Sequence, residues 1–357
     1  MKMDTKMGLS DANPFRCKIK NLDTILFVII DGKIENVMPD VPLCKGVTFS
    51  NLSSSGLLIH VDENVAVSKP IQIVSAIQTD KPLKLTQQCK IILEKNASLT
   101  LVHCDDSLQK ECTNIINNVE ITLAENAVMN YYKMENKEAG SMLTNKIEVH
   151  QKAYSQFYSN VITFNAGKVH NFLHVNMNEP FADTQLNGLY LVDKKQEICN
   201  EVKVWHNAPD CTSRQLYKGI TDDEARAVFN GHIIVQKDAQ RTVAWQTNKN
   251  IALTDESHIQ TLPFLEIYAD DVKCSHGATV GQLDEDAMFY LRSRGICQKN
   301  ARMLLMFAFA NEVAQTVKIE ALKERLSQMI QQRLKGELHI CSQCALHCEQ
   351  GREINFG

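Results

Sequence analysis

Several motifs that are common in enzymes are missing from this chain. It contains no Gly-x-x-x-x-Gly-Lys-[Ser/Thr] phosphate loop, no His-Glu-x-x-His zinc motif and no Gly-x-Ser-x-Gly nucleophile elbow. No dinucleotide-binding fingerprint follows a predicted strand. The sequence therefore offers no motif for nucleotide hydrolysis, metalloprotease, serine-hydrolase or nicotinamide chemistry. We expect that the chain does not hydrolyse ATP itself.

Long apolar runs and a dominant charge are also lacking. The longest apolar stretch, around Met303–Ala310, is far shorter than the ~20 residues that a membrane-spanning helix needs. Residues Met1–Ser10 have no apolar region typical of a secretory signal. The formal net charge is only -4, so no strong field attracts nucleic acid or an anionic membrane. We expect neither a membrane nor a nucleic acid among its partners.

Cysteine, in contrast, is abundant. The chain has 12 cysteines in 357 residues, with a hydrophobic share of 44% that is ordinary for a globular protein. A chain of this length buries its own core and does not need the disulfides that hold small secreted domains together. We therefore expect reduced thiols and a cytoplasmic location, with an organelle matrix as the alternative.

Short alternating runs between residues 45 and 283 predict a β-rich core. Each repeating unit is a strand, a tight polar corner, a small residue and a second strand. Asn and Asp tolerate the left-handed backbone of such corners, and an inward-turned corner has room only for a small side chain. The recurrence favours a β-helix, in which each turn pairs with the next, although an ordinary β-sandwich also has regularly spaced turns. The four predicted corners are Asn96–Ala97, Asn126–Ala127, Lys152–Ala153 and Asp238–Ala239.

The chain divides by pattern into four regions. A short N-terminal segment, 1–44, contains the strand-like run Ile25–Ile30, and the β-rich core spans 45–283. A helical region occupies 284–336, and a cysteine-rich tail occupies 337–357. In the helical region Asp284 is a suitable N-cap and Gly295 a suitable stop for the first helix. The spacing of apolar residues predicts three helices there: Glu285–Arg292, Lys299–Val317 and Ile319–Leu334.

Cys274 and His276 form the most promising candidate site. In a strand, side chains two residues apart point to the same face. A thiolate and an imidazole on one face supply half of the ligands of an iron or iron–sulfur site, and they also form a nucleophile with its base. In a purely structural interpretation, Cys274 packs as a small hydrophobic residue and His276 precedes a turn at Gly277. A second pair, His206 and Cys211, lies in a segment that we expect to be a loop.

The tail carries three more cysteines at short spacing. Cys341, Cys344 and Cys348 lie on one face if the segment is helical, and His347 is adjacent. Dense short cysteine spacings are often metal sites, so a metal or cluster is one interpretation. A terminal segment whose thiols have no role is the other.

Several long motifs resemble the SufB/SufD family of iron–sulfur cluster assembly proteins. The strongest is KCSHGATVGQLDEDAMFYLRSRGI, which begins at Lys273, and its KCSHGAT form resembles the SufD branch. The resemblance covers about residues 160–335. Three upstream motifs extend it: SRQLYKGI from Ser213, AVFNGHIIVQKDAQRTVAWQTNKNIAL from Ala227 and PFLEIYADDVKC from Pro263.

This resemblance implies a fold and a set of partners. The fold would be a right-handed parallel β-helix, or β-solenoid, with a C-terminal helical region. The chain would be a non-catalytic scaffold that pairs with SufB through its β-helix, or with itself in isolation. Its C-terminal helices would dock SufC, an ABC-type ATPase. A transient iron–sulfur cluster would form at the SufB interface, with His276 and Cys274 as ligand candidates, and a flavin is a further possible cofactor.

Two other functions also fit the sequence. Cys274 and His276 fit a stand-alone sulfur-transfer enzyme as nucleophile and base. The third interpretation is a structural β-solenoid whose thiols are incidental.

Overall fold

The computed structural model describes residues 22–37, 45–53, 55–107, 112–165 and 167–335. Two sheets face each other and consist of alternate strands of the chain. The ten-stranded sheet contains β1 (Ile25–Ile30), β2 (Lys33–Val37), β5 (Ile71–Ile77), β7 (Ser98–Ser107), β9 (Val128–Asn136), β11 (Gln156–Asn165), β13 (Asp183–Val192), β15 (Thr212–Thr221), β17 (Thr242–Ala252) and β19 (Val272–Gly281). The nine-stranded sheet contains β3 (Val47–Ser53), β4 (Gly56–Val61), β6 (Leu83–Leu93), β8 (Thr113–Leu123), β10 (Met142–Gln151), β12 (Lys168–Met177), β14 (Glu197–His206), β16 (Arg226–Val235) and β18 (His258–Ile267).

The two sheets form a parallel β-solenoid, which confirms the β-helix interpretation over the sandwich. From β4 onward, each strand pairs in parallel with the strand two places later in the chain, so every turn of the coil adds one strand to each sheet. Two antiparallel pairs, β1–β2 and β3–β4, lie at the N-terminal end. Strand β1 has the predicted bounds and pairs in parallel with β5, so the ten-stranded sheet begins at Ile25.

The corners follow the predicted rule in two of the four places. Asn96 and Asn126 both have φ near +58°, and the alanine after each is fully buried. Their side chains also bond along the corner, because the Asn126 amide donates to the Asn96 carbonyl oxygen at 3.0 Å. This bond between successive turns gives asparagine a second role at the corner besides its tolerance of a left-handed backbone.

The other two corners differ from the prediction. After β10 the left-handed residue is Tyr154, followed by the buried Ser155, and not the pair Lys152–Ala153. After β16 the left-handed residue is Arg241, although Ala239 is buried as expected. The reason is that the position of a corner depends on the register with the neighbouring turn, and local sequence does not report that register.

Three helices follow the solenoid: α1 (Glu285–Ser293), α2 (Gln298–Ala314) and α3 (Glu320–Lys335), close to the predicted bounds. The Asp284 carboxylate accepts the Ala287 backbone N–H at 2.9 Å, so it caps α1 as predicted. Gly295, with φ +83°, ends the turn after α1 in a conformation that other residues rarely adopt. No helix in the described ranges is long and apolar enough to cross a membrane.

Helices α2 and α3 pack on the outer face of the ten-stranded sheet. Met303, Met306 and Val313 share one apolar cluster with the sheet residues Val102 and Leu189. Each such buried side chain contributes about 1.5–3 kcal/mol relative to its exposed state. Polar contacts also hold the helical region on the solenoid. The Asn160 amide donates to Thr316 Oγ1 at 2.7 Å, and the Arg333 guanidinium pairs with Asp193 at 2.8 Å. The first helix, α1, takes no part in this cluster.

Candidate functional site

The C-terminal end of the solenoid is open. Strand β18 pairs with β16, and β19 pairs with β17, and within the described part of the chain neither has a strand partner on its other side. Both last strands therefore present backbone N–H and C=O groups that another strand can pair with. Residues 285–335 form the three helices and add no strand to this end.

Cys274 and His276 lie in β19 on the same face, as the i, i+2 spacing predicts. Their partners in register on β17 are Ala244 and Gln246, which are both buried inside the coil. The two side chains thus belong to the interior face of the last turn. Because no further turn covers that face, His276 is exposed and Cys274 is only half-buried.

The chemistry of this pair is that of an incomplete ligand set. Burial raises the pKa of the Cys274 thiol, while a backbone hydrogen bond from Ala244 acts in the opposite direction, so the thiol is neutral in the isolated chain. A neutral thiol is a poor nucleophile and binds a metal only after losing its proton. Within the described ranges, no group of three or more His, Cys, Asp and Glu side chains is placed to hold a metal ion.

Apolar side chains at the open end are unusually exposed. Ile267 is the last residue of β18 and occupies the same interior row as Val235, one turn earlier. Val235 is 0% exposed and Ile267 is 40% exposed, and no further turn within the described ranges covers Ile267. Val280 of β19 also faces the interior and is exposed, and Phe264 and Tyr268 add two exposed aromatic rings. This end therefore has the composition of a surface that is covered by another molecule.

Helix α1 follows β19 in the chain after three residues and has no buried core of its own. None of its residues is buried, and Phe289 is 74% exposed, the largest value among the exposed large hydrophobic residues of the described chain. Tyr290 is also exposed, with the Arg294 guanidinium 5.2 Å from its ring centre. Aromatic and arginine side chains are the groups that most often carry binding energy in protein interfaces.

The interior of the solenoid contains a polar column that the sequence did not reveal. Asn117, Asn145, Asn171 and Asn200 stand in register on successive turns, and each amide donates to the carbonyl oxygen of the next, at 2.8–3.0 Å. The only signal in the sequence is the recurrence of asparagine at separations of 28, 26 and 29 residues. We call these four residues the asparagine ladder.

A buried charged group lies opposite the asparagine ladder. Lys133 pairs with Asp105 at 2.7 Å, with both side chains almost completely buried. Glu135 accepts hydrogen bonds from Asn145 and Asn171, and burial raises its pKa to about 7. These side chains contact one another inside the coil and are almost completely buried, so they bear on stability and do not form an accessible site.

The remaining predicted residues are not part of the open end. His206 is the last residue of β14 and is fully buried, not in a loop, and its Nε2 contacts Ser213 Oγ at 2.9 Å. Burial lowers the pKa of His206 to about 4, so it is neutral. Cys211 is buried in the following turn. The tail candidates Cys341, Cys344, His347 and Cys348 lie outside the described residues.

Comparison with known proteins identifies the family. The model of the domain "SUF system FeS cluster assembly, SufBD core domain" matches residues 76–309. The chain belongs to the SufBD family. It is 32% identical to the iron–sulfur cluster assembly protein SufD of Escherichia coli over 88% of this chain and 80% of that protein. It is 31% identical to a SufBD family protein of Synechocystis over 79% of this chain and 65% of that protein.

A plant relative extends the range of compartments in which SufBD chains occur. The chloroplastic protein ABCI7 of Arabidopsis thaliana is 33% identical over 55% of this chain and 41% of that protein. Membership of the SufBD family places the chain in iron–sulfur cluster assembly. The matched residues 76–309 include β18 and β19, the strands of the open end, and helix α1.

Proposed function

We propose that this chain is a non-catalytic scaffold subunit, of the SufD type, that completes an iron–sulfur cluster assembly site together with a SufB partner. The observation that carries the proposal is the open end: an edge strand, β19, that presents His276 and Cys274 beside exposed apolar residues. A SufB strand paired along this edge would continue the sheet and cover Ile267 and Val280. In isolation, a second copy of the chain would occupy the same edge.

The number of ligands explains why a partner is needed. An iron–sulfur cluster is usually held by about four protein ligands, most of them thiolates. The open end offers two, and one of them is a protonated thiol until a metal displaces the proton. The cluster is cargo in this proposal, built where ligands of both subunits meet and then passed on. Such a half-site is a poor permanent cofactor site and a suitable transient one.

The helical region is proposed to dock the SufC ATPase. Helices α2 and α3 bury their apolar residues against the sheet, which fixes them to the solenoid. Helix α1 has no such contact and exposes Phe289 and Tyr290. Exposed aromatic side chains on a helix are suited to bind a partner protein. We propose the cytoplasm as the compartment.

The stand-alone sulfur-transfer enzyme is the weaker alternative. Such an enzyme needs a thiolate at neutral pH, and reactive cysteines usually have a lowered pKa. The pKa of Cys274 is raised by burial. The direction of this shift favours a role that begins only when a metal or a partner arrives.

The test is anaerobic co-expression with the cognate SufB and SufC, followed by size-exclusion chromatography and measurement of iron and sulfide in the complex. The variant His276→Ala is expected to assemble normally, because it removes an exposed side chain and opens no cavity. Its cluster content is expected to fall about tenfold or more, as for loss of a metal-site residue. The matched control is His258→Ala, an exposed histidine of the neighbouring strand β18. Normal iron and sulfide in His276→Ala complexes would contradict the proposal.

A further inference from the structure

Two buried glutamines inside the solenoid stand in register with His276. Gln215, Gln246 and His276 occupy the same interior row on β15, β17 and β19. The Gln246 amide nitrogen donates to the Gln215 carbonyl oxygen at 2.9 Å. Neighbouring strands lie about 4.8 Å apart, which allows side-chain amides in register to bond from turn to turn. We call Gln215 and Gln246 the glutamine ladder.

The last acceptor of the glutamine ladder is unsatisfied. The Gln246 side chain is 1% exposed, yet its Oε1 has no hydrogen-bond partner within the described ranges. A buried polar atom left without a partner destabilises the folded chain. At the other end of the ladder, the Gln215 amide nitrogen is likewise without a partner there, because the next residue in the row is Leu186.

The direction of the ladder shows where the missing donor belongs. A side-chain amide holds its nitrogen and its oxygen on opposite sides. Since the nitrogen of Gln246 points back to Gln215, its oxygen points forward, to the next strand. The asparagine ladder follows the same geometry, with nitrogen to one neighbouring turn and oxygen to the other. In the forward direction from Gln246, the residue in register is His276.

Gly231 on the opposite sheet holds this amide in place. A Cβ at position 231 would lie 2.1 Å from the Gln246 amide nitrogen, closer than any two such atoms approach. Glycine therefore leaves the space that the Gln246 side chain needs to reach Gln215. The orientation of the amide thus depends on Gly231 as well as on its hydrogen bond to Gln215.

We propose that Gln246 is the positioning residue of the His276 site: its carbonyl oxygen accepts the ring N–H of His276 and fixes which ring nitrogen faces the cluster. Histidine ligands usually donate their second ring nitrogen to an oxygen acceptor, which sets the tautomer and the ring orientation. The unpartnered oxygen, its forward direction and the register support this pairing. The role at the cluster rests on the function proposed above for His276, whereas the hydrogen bond itself does not.

The hydrogen bond is tested in the isolated chain by nitrogen-15 NMR of the histidine rings, with His276 assigned by its loss in His276→Ala. In the wild-type chain one tautomer of His276 is expected to dominate. Gln246→Met keeps the length of the side chain but removes the acceptor, so the tautomer ratio is expected to move to that of an unconstrained histidine. Gln246→Glu restores an acceptor and is expected to restore the dominant tautomer. Gln260→Met, on the exposed outer face of β18, is the control and is expected to change nothing.

Gly231→Ala provides a second variant that keeps Gln246 but displaces its amide. It is expected to shift the tautomer ratio in the same direction as Gln246→Met, with folding checked by circular dichroism. If both variants are folded and keep the wild-type ratio, the pairing is wrong and Gln246 only packs.

The second measurement is cluster content in the complex with SufB and SufC. Gln246→Met is expected to lower it about tenfold, and Gln246→Glu to recover most of it. If His276→Ala leaves the cluster content unchanged, the proposed function fails, while the tautomer result still decides whether the hydrogen bond exists. If His276 is required but Gln246→Met complexes carry full clusters, only the positioning role is wrong.

Discussion

The middle of the solenoid and its C-terminal end consist of the same kind of turn. They differ in strand pairing and in how far their interior side chains are covered. In the middle, each strand pairs on both sides, and a residue such as Val235 is fully buried. At the end, β18 and β19 pair on one side, and Ile267 in the same row is exposed. Both ladders end with an unpartnered oxygen, but Asn117 Oδ1 lies in the middle of the coil, whereas Gln246 Oε1 lies one strand from its open end.

This contrast separates residues that are enclosed within the fold from residues that remain exposed at its last turn. A stacked coil is stable as a sum of turns and of the interfaces between neighbouring turns. The last turn has a neighbouring turn on one side only. Part of its apolar side chains and polar groups is therefore left uncovered. Substitutions in the middle are expected to change the free energy of unfolding, and substitutions at the end are expected to change binding.

The largest effect is expected from Asn145→Leu in the asparagine ladder. The Asn145 amide donates to Glu135 at 2.7 Å and to Asn171 at 2.9 Å, and it accepts from Asn117 at 2.8 Å. Leucine would leave several buried groups without these bonds, at about 1–3 kcal/mol each. We expect the free energy of unfolding, measured with urea, to fall by about 4 kcal/mol.

The matched control is Asn118→Leu, which lies on the outer face of β8 and is expected to change stability by less than about 0.5 kcal/mol. If Asn145→Leu lowered stability no more than Asn118→Leu does, the ladder would not be the element that holds the middle of the coil.

The next effect is a pH dependence that comes from Glu135. Burial raises its folded-state pKa to about 7 from an ordinary value of 4.5, so the folded state keeps a proton that the unfolded state has already lost. Stability from this group is therefore complete below pH 4.5 and is lost as the pH rises to about 7, by about 3 kcal/mol in all. Glu135→Gln, which carries no titrating group, is expected to lack this loss.

The unfolding free energies of the wild type and of Glu135→Gln must be compared at each pH. A second buried group, His103, changes stability with pH in the opposite direction. Burial lowers the pKa of His103 to about 3, so its contribution to stability falls as the pH drops below 6.5. His103 is present in both proteins, and its effect cancels in the difference. A difference in unfolding free energy that stays constant from pH 4.5 to pH 8 would show that Glu135 is not protonated in the folded chain.

Local rules allowed much of this fold to be predicted from sequence. The corners at Asn96 and Asn126, the strand from Ile25 and the capped helix after Asp284 depend on residues within a few positions of one another. The shared face of Cys274 and His276 follows from strand geometry alone. The KCSHGAT motif supplied the family, which the match to residues 76–309 confirms.

The interior could not be predicted, because it depends on register between turns about thirty residues apart. Tyr154 takes the corner position, where its backbone N–H donates to the Pro180 carbonyl oxygen of the next turn at 3.1 Å. The same holds for the pairing of Gln246 with Gln215 and for the place of Gly231 beside it. In a single sequence, no local pattern connects these amide residues with each other or with the glycine.

The smallest effect on stability, and the sharpest test of the contrast, is expected at Ile267. Val235→Ser and Ile267→Ser remove an apolar side chain from the same interior row, one turn apart. Val235 is enclosed, so its loss leaves a cavity and is expected to cost about 2–4 kcal/mol. Ile267 is already 40% exposed, so its loss is expected to cost the isolated chain about 1 kcal/mol or less.

For the affinity of a partner, the expected order of the two substitutions is reversed: Ile267→Ser has the larger effect and Val235→Ser the smaller. If a SufB strand covers the open end, the part of Ile267 that is exposed in the single chain becomes buried, and Ile267→Ser removes about 1–1.5 kcal/mol of that burial, close to a tenfold weaker complex. Val235 lies one turn inside and touches no partner, so Val235→Ser is expected to leave the affinity of the folded fraction unchanged. Unfolding by urea and titration calorimetry with SufB measure the two quantities separately. Equal losses of affinity in the two variants would mean that the open end is not where the subunits meet, and the exposure of Ile267 would then have another cause.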